Sequence, residues 1–268
     1  MKAASLDLDT QDLAQLYEQV SADRQYKAGQ RLIQDLAVTA GETVLDLGCG
    51  TGQLAEYAAT IVGSEGLVVG LDPLPLRIEI AKRKTRANLS FRIGNAFDLS
   101  EIASGTFDVA YMNAVFHWLP EKREPLRQIF RVLKPGGRLG ISTGAKGNPN
   151  PLHIIRERVL SRAPYNQYPA AAEPVAHRVS IDEMANLLTQ AGFEVKTIEA
   201  RPIARPEMTA EASIRFSEAS SFGNFLGHLP EALRASARAD IKRELEQTDV
   251  LAVTSRSRLH LVAIALKP

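Results

Sequence analysis

Residues 44–57, VLDLGCGTGQLAEY, combine a short apolar run, a glycine-rich turn and the start of a helical pattern. The apolar run contains an acid, Asp46, and the glycines Gly48, Gly50 and Gly52 then alternate with other residues. A turn of this composition lets the backbone approach a neighbour closely. Three interpretations are open at this point: a turn that holds a dinucleotide, a turn that holds another nucleoside cofactor, or a tight turn alone.

The sequence on both sides of this turn alternates between apolar runs and helical patterns. Apolar runs predict strands at 44–47, 67–71, 89–93, 107–112 and 138–143, and helical spacing predicts helices at 13–38 (two segments), 53–62, 75–87 and 121–132. The sequences GSEG and KPGG, at 63–66 and 134–137, are expected to end the helices before them. Continuous short apolar runs are typical of parallel strands that are buried on both faces, so the pattern predicts an α/β fold.

The alternation stops after residue 143. Residues 145–178 are rich in proline, alanine and tyrosine, and they predict a cap or lid with little core of its own. Further along, we expect a helix with a capping box at 180–191, a strand at 193–200, two helical segments within 209–247 and a last, antiparallel strand at 257–266. We therefore predict one domain over 1–268, with a core at about 20–143 and cap insertions at about 145–178 and 208–250.

Composition narrows the functional class. The 268 residues are 45% hydrophobic and 24% charged with a net charge of +1, and no block of charge resembles a nucleic-acid-binding arm. The first residues lack the apolar stretch of a secretory signal, and no apolar run is long enough to cross a membrane. One cysteine allows neither an intrachain disulfide nor a cysteine-based metal site. We expect a cytoplasmic monomer or homodimer without a metal, a nucleic-acid partner or a membrane partner.

The glycine spacing distinguishes between the nucleoside ligands. A dinucleotide turn reads GxGxxG, whereas this chain has Gln53 where the third glycine would stand, and it lacks the Lys-Ser/Thr pair of a P-loop. Asp72 ends the second apolar run twenty residues beyond Gly52, and a carboxylate there can accept hydrogen bonds from both hydroxyls of a ribose. These features indicate a ligand with a ribose but no diphosphate, and S-adenosylmethionine (SAM) is the leading candidate.

Five segments carry a resemblance to a known family. VLDLGCGTG resembles motif I of the class I SAM-dependent methyltransferases, and GLDPL, GNAFDL, FDVAYMNAVFHWLP and FRVLKPGGRLGIS resemble their motifs at the following strands. Among these enzymes, the chain looks most similar to the small-molecule group around the trans-aconitate and malonyl-carrier-protein carboxyl methyltransferases. The resemblance implies a Rossmann-like, doubly wound sheet of seven mostly parallel strands in the order 3-2-1-4-5-7-6, with the last strand antiparallel.

The resemblance also implies a set of residues that contact SAM: Gln25, Tyr26, Asp46, Gly48, Cys49, Gly50, Gly52, Asp72, Pro73, Leu74, Asn95, Ala96, Phe97, Asn113 and Ala114. In this assignment Asp46 lies near the methionine amino group, Asp72 takes the ribose diol, and the residues around Leu74 and Ala96 flank the adenine. Structural alternatives stay open, because Asp46 and Asp72 can cap turns and Asn95 can be a turn residue. Cys49 can equally be a small buried filler.

The residues after the fourth strand supply the candidate catalytic group. His117 is the candidate general base, because an imidazole titrates near neutral pH and strand carboxyl ends form the ligand site of such sheets. An alternative is that His117 only orients a loop. The candidate substrate-binding residues are Trp118, Tyr165, Tyr168 and Phe222.

The predicted function is methyl transfer from SAM to an oxygen or carbon atom of a small molecule by in-line displacement. Two alternatives are a SAM-binding regulator without catalysis and, with less support, an NAD-dependent oxidoreductase. The single cysteine argues against arsenite methylation, whose chemistry would need several thiolates.

Overall fold

The computed structural model describes residues 5–21, 25–147, 150–169, 176–203, 209–248 and 258–268. Its strands are β1 Thr43–Leu47, β2 Leu67–Asp72, β3 Leu89–Ile93, β4 Phe107–Asn113, β5 Leu133–Gly144, β6 Glu194–Ile203 and β7 Arg258–Leu266. They form one seven-stranded sheet in the order β3-β2-β1-β4-β5-β7-β6. The strands β1 to β5 pair in parallel, and β7 lies antiparallel between β5 and β6. The predicted order and the antiparallel last strand are confirmed.

Helices cover both faces of this sheet. They are α1 Gln11–Ser21, α2 Gln25–Asp35, α3 Gln53–Val62, α4 Pro75–Ala81, α5 Arg123–Val132, α6 Pro151–Leu160, α7 Ile181–Gln190, α8 Ala210–Ser220 and α9 Glu231–Gln247, with short 3-10 helices at Phe116–Trp118 and Tyr165–Gln167. On one face, α2, α3 and α4 bury Leu32, Ala58 and Ile78 against the sheet. On the other face, α5 and α7 bury Leu126 and Met184. The sheet is therefore doubly wound, as predicted.

The cap has a core of its own, which corrects the expectation of a lid with little core. Helices α6, α8 and α9 share an apolar cluster that includes Ile155, Ile214, Phe225 and Ile241. The three helices come from two insertions that are distant in sequence, so neither insertion shows the cluster by itself. The proposed domain boundaries remain a prediction.

Among the element ends that differ from the prediction, two have an identifiable physical cause. Helix α4 ends at Ala81 rather than at 87. The N–H groups of Arg83 and Lys84 donate to carbonyls three residues back, those of Ile80 and Ala81, so the α-helical hydrogen-bond pattern stops here. The KPGG sequence does not separate α5 from a strand, since β5 already begins at Leu133. The register between β4 and β5 shifts here, from Phe107 with Leu133 to Val109 with Arg138, so KPGG forms an irregularity within β5. Gly136 has a φ of +77°, and its N–H donates to Lys267 O at 2.8 Å.

Helix α7 begins as predicted. Ser180 Oγ accepts from Glu183 N at 3.2 Å, and the Glu183 carboxylate accepts from Ser180 N at 2.7 Å, which completes a capping box.

Within the described residues, no helix is long and apolar enough to span a membrane.

Candidate cofactor cleft

A cleft of about 410 Å³ opens at the carboxyl ends of β1, β2 and β4. In an open α/β sheet, ligands bind at this edge, where the strand order reverses, and the volume is within the usual range for small-molecule sites. A smaller recess adjoins the cleft, and both are lined by Tyr17, Gln25, Gly48 and Asn113. Most residues predicted to contact SAM line the cleft or the recess: Gln25, Tyr26, Asp46, Gly48, Cys49, Gly50, Asp72, Pro73, Leu74, Asn95, Ala96, Phe97, Asn113 and Ala114.

The glycine turn after β1 is attached to the end of β2. Gly48 N donates to Leu71 O at 2.7 Å, and Gly50 N donates to Asp72 Oδ2 at 2.8 Å. Gly48 has a φ of +78°, and a Cβ on it would lie 2.2 Å from Val115 Cγ2. Gly52 is not among the residues that line the cleft or the recess; a Cβ there would lie 2.6 Å from the Phe91 ring, so Gly52 permits close packing of α3 against β3.

Asp72 is a buried acid that lines the cleft. Its carboxylate is buried and accepts from Gly50 N at Oδ2 and from Leu74 N at Oδ1, at 2.8 and 2.9 Å. Burial raises the pKa of Asp72, while the Arg77 cation and the two backbone hydrogen bonds lower this pKa. Each carboxylate oxygen keeps a second acceptor position, because an ionised carboxylate offers about four lone-pair sites. The turn-capping role and the ribose role are therefore compatible.

Asp46 lines the recess beside a buried tyrosine. Asp46 and Tyr111 are register partners on the adjacent strands β1 and β4, and the Tyr111 hydroxyl donates to Asp46 Oδ2 at 2.9 Å. Burial raises the pKa of Asp46 to about 7, and the hydrogen bond from Tyr111 opposes this rise. A cation in the recess would favour the ionised form.

Helices α1 and α2 close the recess. Tyr17 Oη donates to Gln25 Oε1 at 2.6 Å, and Asn113 Nδ2 donates to Gln25 O at 2.8 Å. The other atom of this amide, Asn113 Oδ1, is buried and has no hydrogen-bond partner within the described part of the chain. Tyr26 lines the recess and packs edge-on against Tyr57 with ring centroids 6.1 Å apart. The geometry leaves an acceptor, Asn113 Oδ1, for a donor on a ligand.

Two loops form the wall of the cleft at the ends of β2 and β3. Pro73 and Leu74 follow Asp72, and Leu74 is buried. Asn95 is exposed, and its Oδ1 accepts from Phe97 N at 2.9 Å, so this amide oxygen holds the turn. Its amide nitrogen remains the group that can face a ligand.

An aromatic pair lines the outer part of the cleft. Trp118 and Phe222 both line it, with ring centroids 5.0 Å apart and an interplanar angle of 61°. Val115, Leu119 and Pro120 extend this apolar surface. The two predicted substrate-binding residues from distant parts of the chain, Trp118 and Phe222, are thus brought together.

The structure places three other predicted residues outside this cleft. His117 lies in the 3-10 helix after β4, and its Nδ1 is 2.9 Å from the hydroxyl of the buried Thr143. Tyr165 is buried in the cap, where its hydroxyl donates to Asp240 at 2.7 Å, and Tyr168 is 41% exposed. None of the three is among the residues that line the cleft. The base role of His117 therefore gains no support from its placement.

The sequence analysis did not identify two polar residues of the cleft, the partly buried Tyr17 and the buried Arg77. Tyr17 belongs to the amphipathic pattern of α1 and resembles an ordinary packing residue. Arg77 was detectable as a single cation in the otherwise apolar stretch PLPLR, five residues after Asp72.

The residues present fit SAM. Asp72 retains acceptor positions for two ribose hydroxyls, and the recess presents the Asp46 carboxylate and the unpartnered Asn113 Oδ1 to an ammonium group. The glycines Gly48 and Gly50 leave the backbone of the turn accessible along the cleft.

Comparison with known proteins also indicates a methyltransferase. A protein-family model described as "Methyltransferase domain" matches residues 38–192. An arsenite methyltransferase of Aquipseudomonas alcaligenes is 39% identical over 140 residues, which cover 48% of this chain and 39% of that protein. A trans-aconitate 2-methyltransferase of Variovorax paradoxus is 26% identical over 262 residues, which cover 90% of this chain and 93% of the relative.

The solved structures show the same fold. A SAM-dependent methyltransferase from Aquifex aeolicus superposes with a TM-score of 0.54 at 16% identity, over 90% of this chain and 89% of that one. The chain spans 39%, 40% and 59% of the lengths of the first three curated relatives that it matches. The family match covers more than half of the chain, and the sheet order and the cleft agree with it. The chain therefore belongs to the methyltransferase domain family and has the fold of the class I SAM-dependent methyltransferases.

Proposed function

We propose that the protein transfers the methyl group of SAM to an oxygen or carbon atom of a small-molecule acceptor. The observation that carries the proposal is the pair of buried carboxylates, Asp46 and Asp72, at the ends of neighbouring strands on either side of the glycine turn. One carboxylate suits the ammonium group of the cofactor and the other suits its ribose diol. Family membership leaves the oxidoreductase alternative without support.

The chain contributes alignment and exclusion of water rather than covalent chemistry. The bound cofactor supplies an electrophilic methyl group on a sulfonium, and the acceptor must approach it in line. Asp72 and Asn113 would hold the ribose and the methionyl part of the cofactor, and the aromatic pair of Trp118 and Phe222 lines the same cleft. This pair would keep water from the reacting groups, which would favour displacement at a charged centre. An acceptor with an apolar body fits this wall.

Turnover with labelled cofactor tests the proposal. SAM carrying a radioactive methyl group is incubated with the protein and a small-molecule extract, and trans-aconitate is included as a separate arm because of the relative that carries this name. We expect label in a small-molecule product, and S-adenosylhomocysteine (SAH) to inhibit its formation. SAH binding without any transfer would instead indicate a SAM-binding regulator, and no binding of SAM or SAH would contradict the proposal.

The titration of Asp46 predicts a pH dependence of cofactor affinity. Only the ionised carboxylate attracts the ammonium group, and the pKa of Asp46 is about 7, so affinity should rise with pH. We expect SAH to bind about tenfold more weakly at pH 6 than at pH 8, as measured by calorimetry.

Two variants control this pH experiment. Asp46→Asn should bind weakly and lose the pH dependence. Tyr111→Phe removes the hydrogen bond that opposes the raised pKa of Asp46, so its midpoint should move to higher pH. An identical pH profile in the wild type and in Asp46→Asn would assign the effect to another group.

A further inference from the structure

The outer boundary of the cleft is a unit built from two segments that are distant in sequence, residues 5–9 and residues 219–227. Ser5 N donates to Asn224 Oδ1 at 3.1 Å, and Asn224 Nδ2 donates back to Ser5 O at 2.8 Å. Leu8 packs so closely on Gly223 that a Cβ there would lie 2.4 Å from Leu8 O. From this unit, Leu6, Ser220 and Phe222 line the cleft. We call these three residues, with the segments 5–9 and 219–227 that carry them, the roof.

One side chain of the SAM-binding core reaches into the roof. Arg77, in the first turns of α4, donates from Nη2 to Ala219 O at 2.8 Å. This carbonyl belongs to the last turn of α8, where the helix dipole favours a cation. Arg77 Nε lies 3.6 Å from Asp9 Oδ2, so the same guanidinium faces both segments of the roof.

The guanidinium is also fixed by aromatic rings. It lies over the ring of Tyr17 at 4.0 Å and 5.8 Å from the ring centroid of Phe222. The side chains of Arg77 and Asp9 are only 5% and 4% exposed. A planar, buried cation that is stacked and hydrogen-bonded in this way is a well-defined connection, which an ammonium group would reproduce only in part.

We propose that Arg77 is a positioning residue that fastens the roof over the cofactor cleft and thereby slows the release of the bound cofactor. Arg77 lies five residues after Asp72 and lines the same cleft, so it joins the ribose site to the roof. Its charge also lowers the pKa of Asp72, against the effect of burial. The proposal depends on the proposed function only for the identity of the ligand.

Hydrogen exchange and SAH release test this role on the intact chain. Arg77→Met keeps most of the stem but removes the charge and the donors. We expect amide exchange in residues 5–21 and 210–229 of the unliganded protein to become about tenfold faster, with exchange in β1 and β4 unchanged. SAH should dissociate about tenfold faster in stopped-flow measurements. Arg77→Lys should recover part of the slow exchange and of the slow SAH dissociation of the wild type.

Matched variants keep the outcome decisive. Arg83→Met removes an exposed arginine just beyond the same helix and should behave as the wild type. Asp9→Asn removes one link of the roof while keeping the size of the side chain, and we expect it to show the same changes in smaller form. This variant decides the test if Arg77→Met fails to fold. Unchanged exchange in the roof and an unchanged SAH dissociation rate in a folded Arg77→Met protein would overturn the proposal. If the wild type binds no SAH, the proposed function fails, while the exchange of the unliganded variants still decides the role of Arg77.

Discussion

Replacing Asp72 by alanine is expected to weaken SAH binding by about 1.5–3 kcal/mol, which is roughly 10- to 150-fold. Two losses combine in this variant. The ribose hydroxyls lose a charged acceptor, and the backbone N–H groups of Gly50 and Leu74 lose theirs, so the glycine turn is no longer attached to β2 at this point. Calorimetry with SAH measures the effect directly.

A graded pair of variants separates these losses. Asp72→Asn keeps the shape and one acceptor oxygen, so its affinity should fall between those of the wild type and Asp72→Ala. Asp182→Ala removes an exposed acid in the first turn of α7, outside the residues that line the cleft, and should leave SAH affinity unchanged. Wild-type affinity in Asp72→Ala would mean that this carboxylate serves only the turn.

Gly48→Ala is expected to lower the free energy of unfolding by about 2–5 kcal/mol and to abolish measurable SAH binding. The left-handed backbone, at a φ of +78°, disfavours any side chain by about 1–2 kcal/mol. The new methyl group would also lie 2.2 Å from Val115 Cγ2, and overpacking of this kind costs about 1–3 kcal/mol. Thermal or denaturant unfolding measures the sum.

Gly41 provides the control for the backbone contribution. It also has a left-handed φ, of +83°, but a Cβ there would meet nothing within 4 Å. Gly41→Ala should therefore show only the backbone cost. Adding Val115→Ala to Gly48→Ala should recover part of the packing loss, as a double-mutant cycle would measure. Equal destabilisation by Gly41→Ala and Gly48→Ala would contradict the predicted clash.

Local sequence identified the strands and the turn between them. The strands β1 and β2 are short apolar runs with mostly buried residues, and their length, which is too short for a typical helix, indicated strands. The strand β3 instead alternates apolar and polar residues and buries only Phe91. The acid that we propose to bind the cofactor, Asp72, could be placed because strand carboxyl ends meet at one edge of the sheet. The cap was misjudged because its apolar cluster forms only when α6 meets α8 and α9.

The orientation of side chains and contacts across the chain were not predictable in the same way. His117 has the expected position after β4, but its Nδ1 lies beside the Thr143 hydroxyl, and His117 is not among the residues that line the cleft. Arg77 gains its role from a carbonyl that lies 142 residues further along the chain. No periodicity or motif encodes such a contact, since each of its segments looks ordinary when taken alone.

The sequence by itself determined the α/β fold, the strand that ends at Asp72 and the glycine turn that suits SAM. It could do so because each depends on local backbone conformation and on the burial pattern of a single segment. Only the tertiary structure decided that Tyr111 supports Asp46, that Trp118 meets Phe222, and that Arg77 joins the core to the roof. These arrangements depend on how buried polar and aromatic groups of separate segments satisfy one another, and that is settled only when the segments pack.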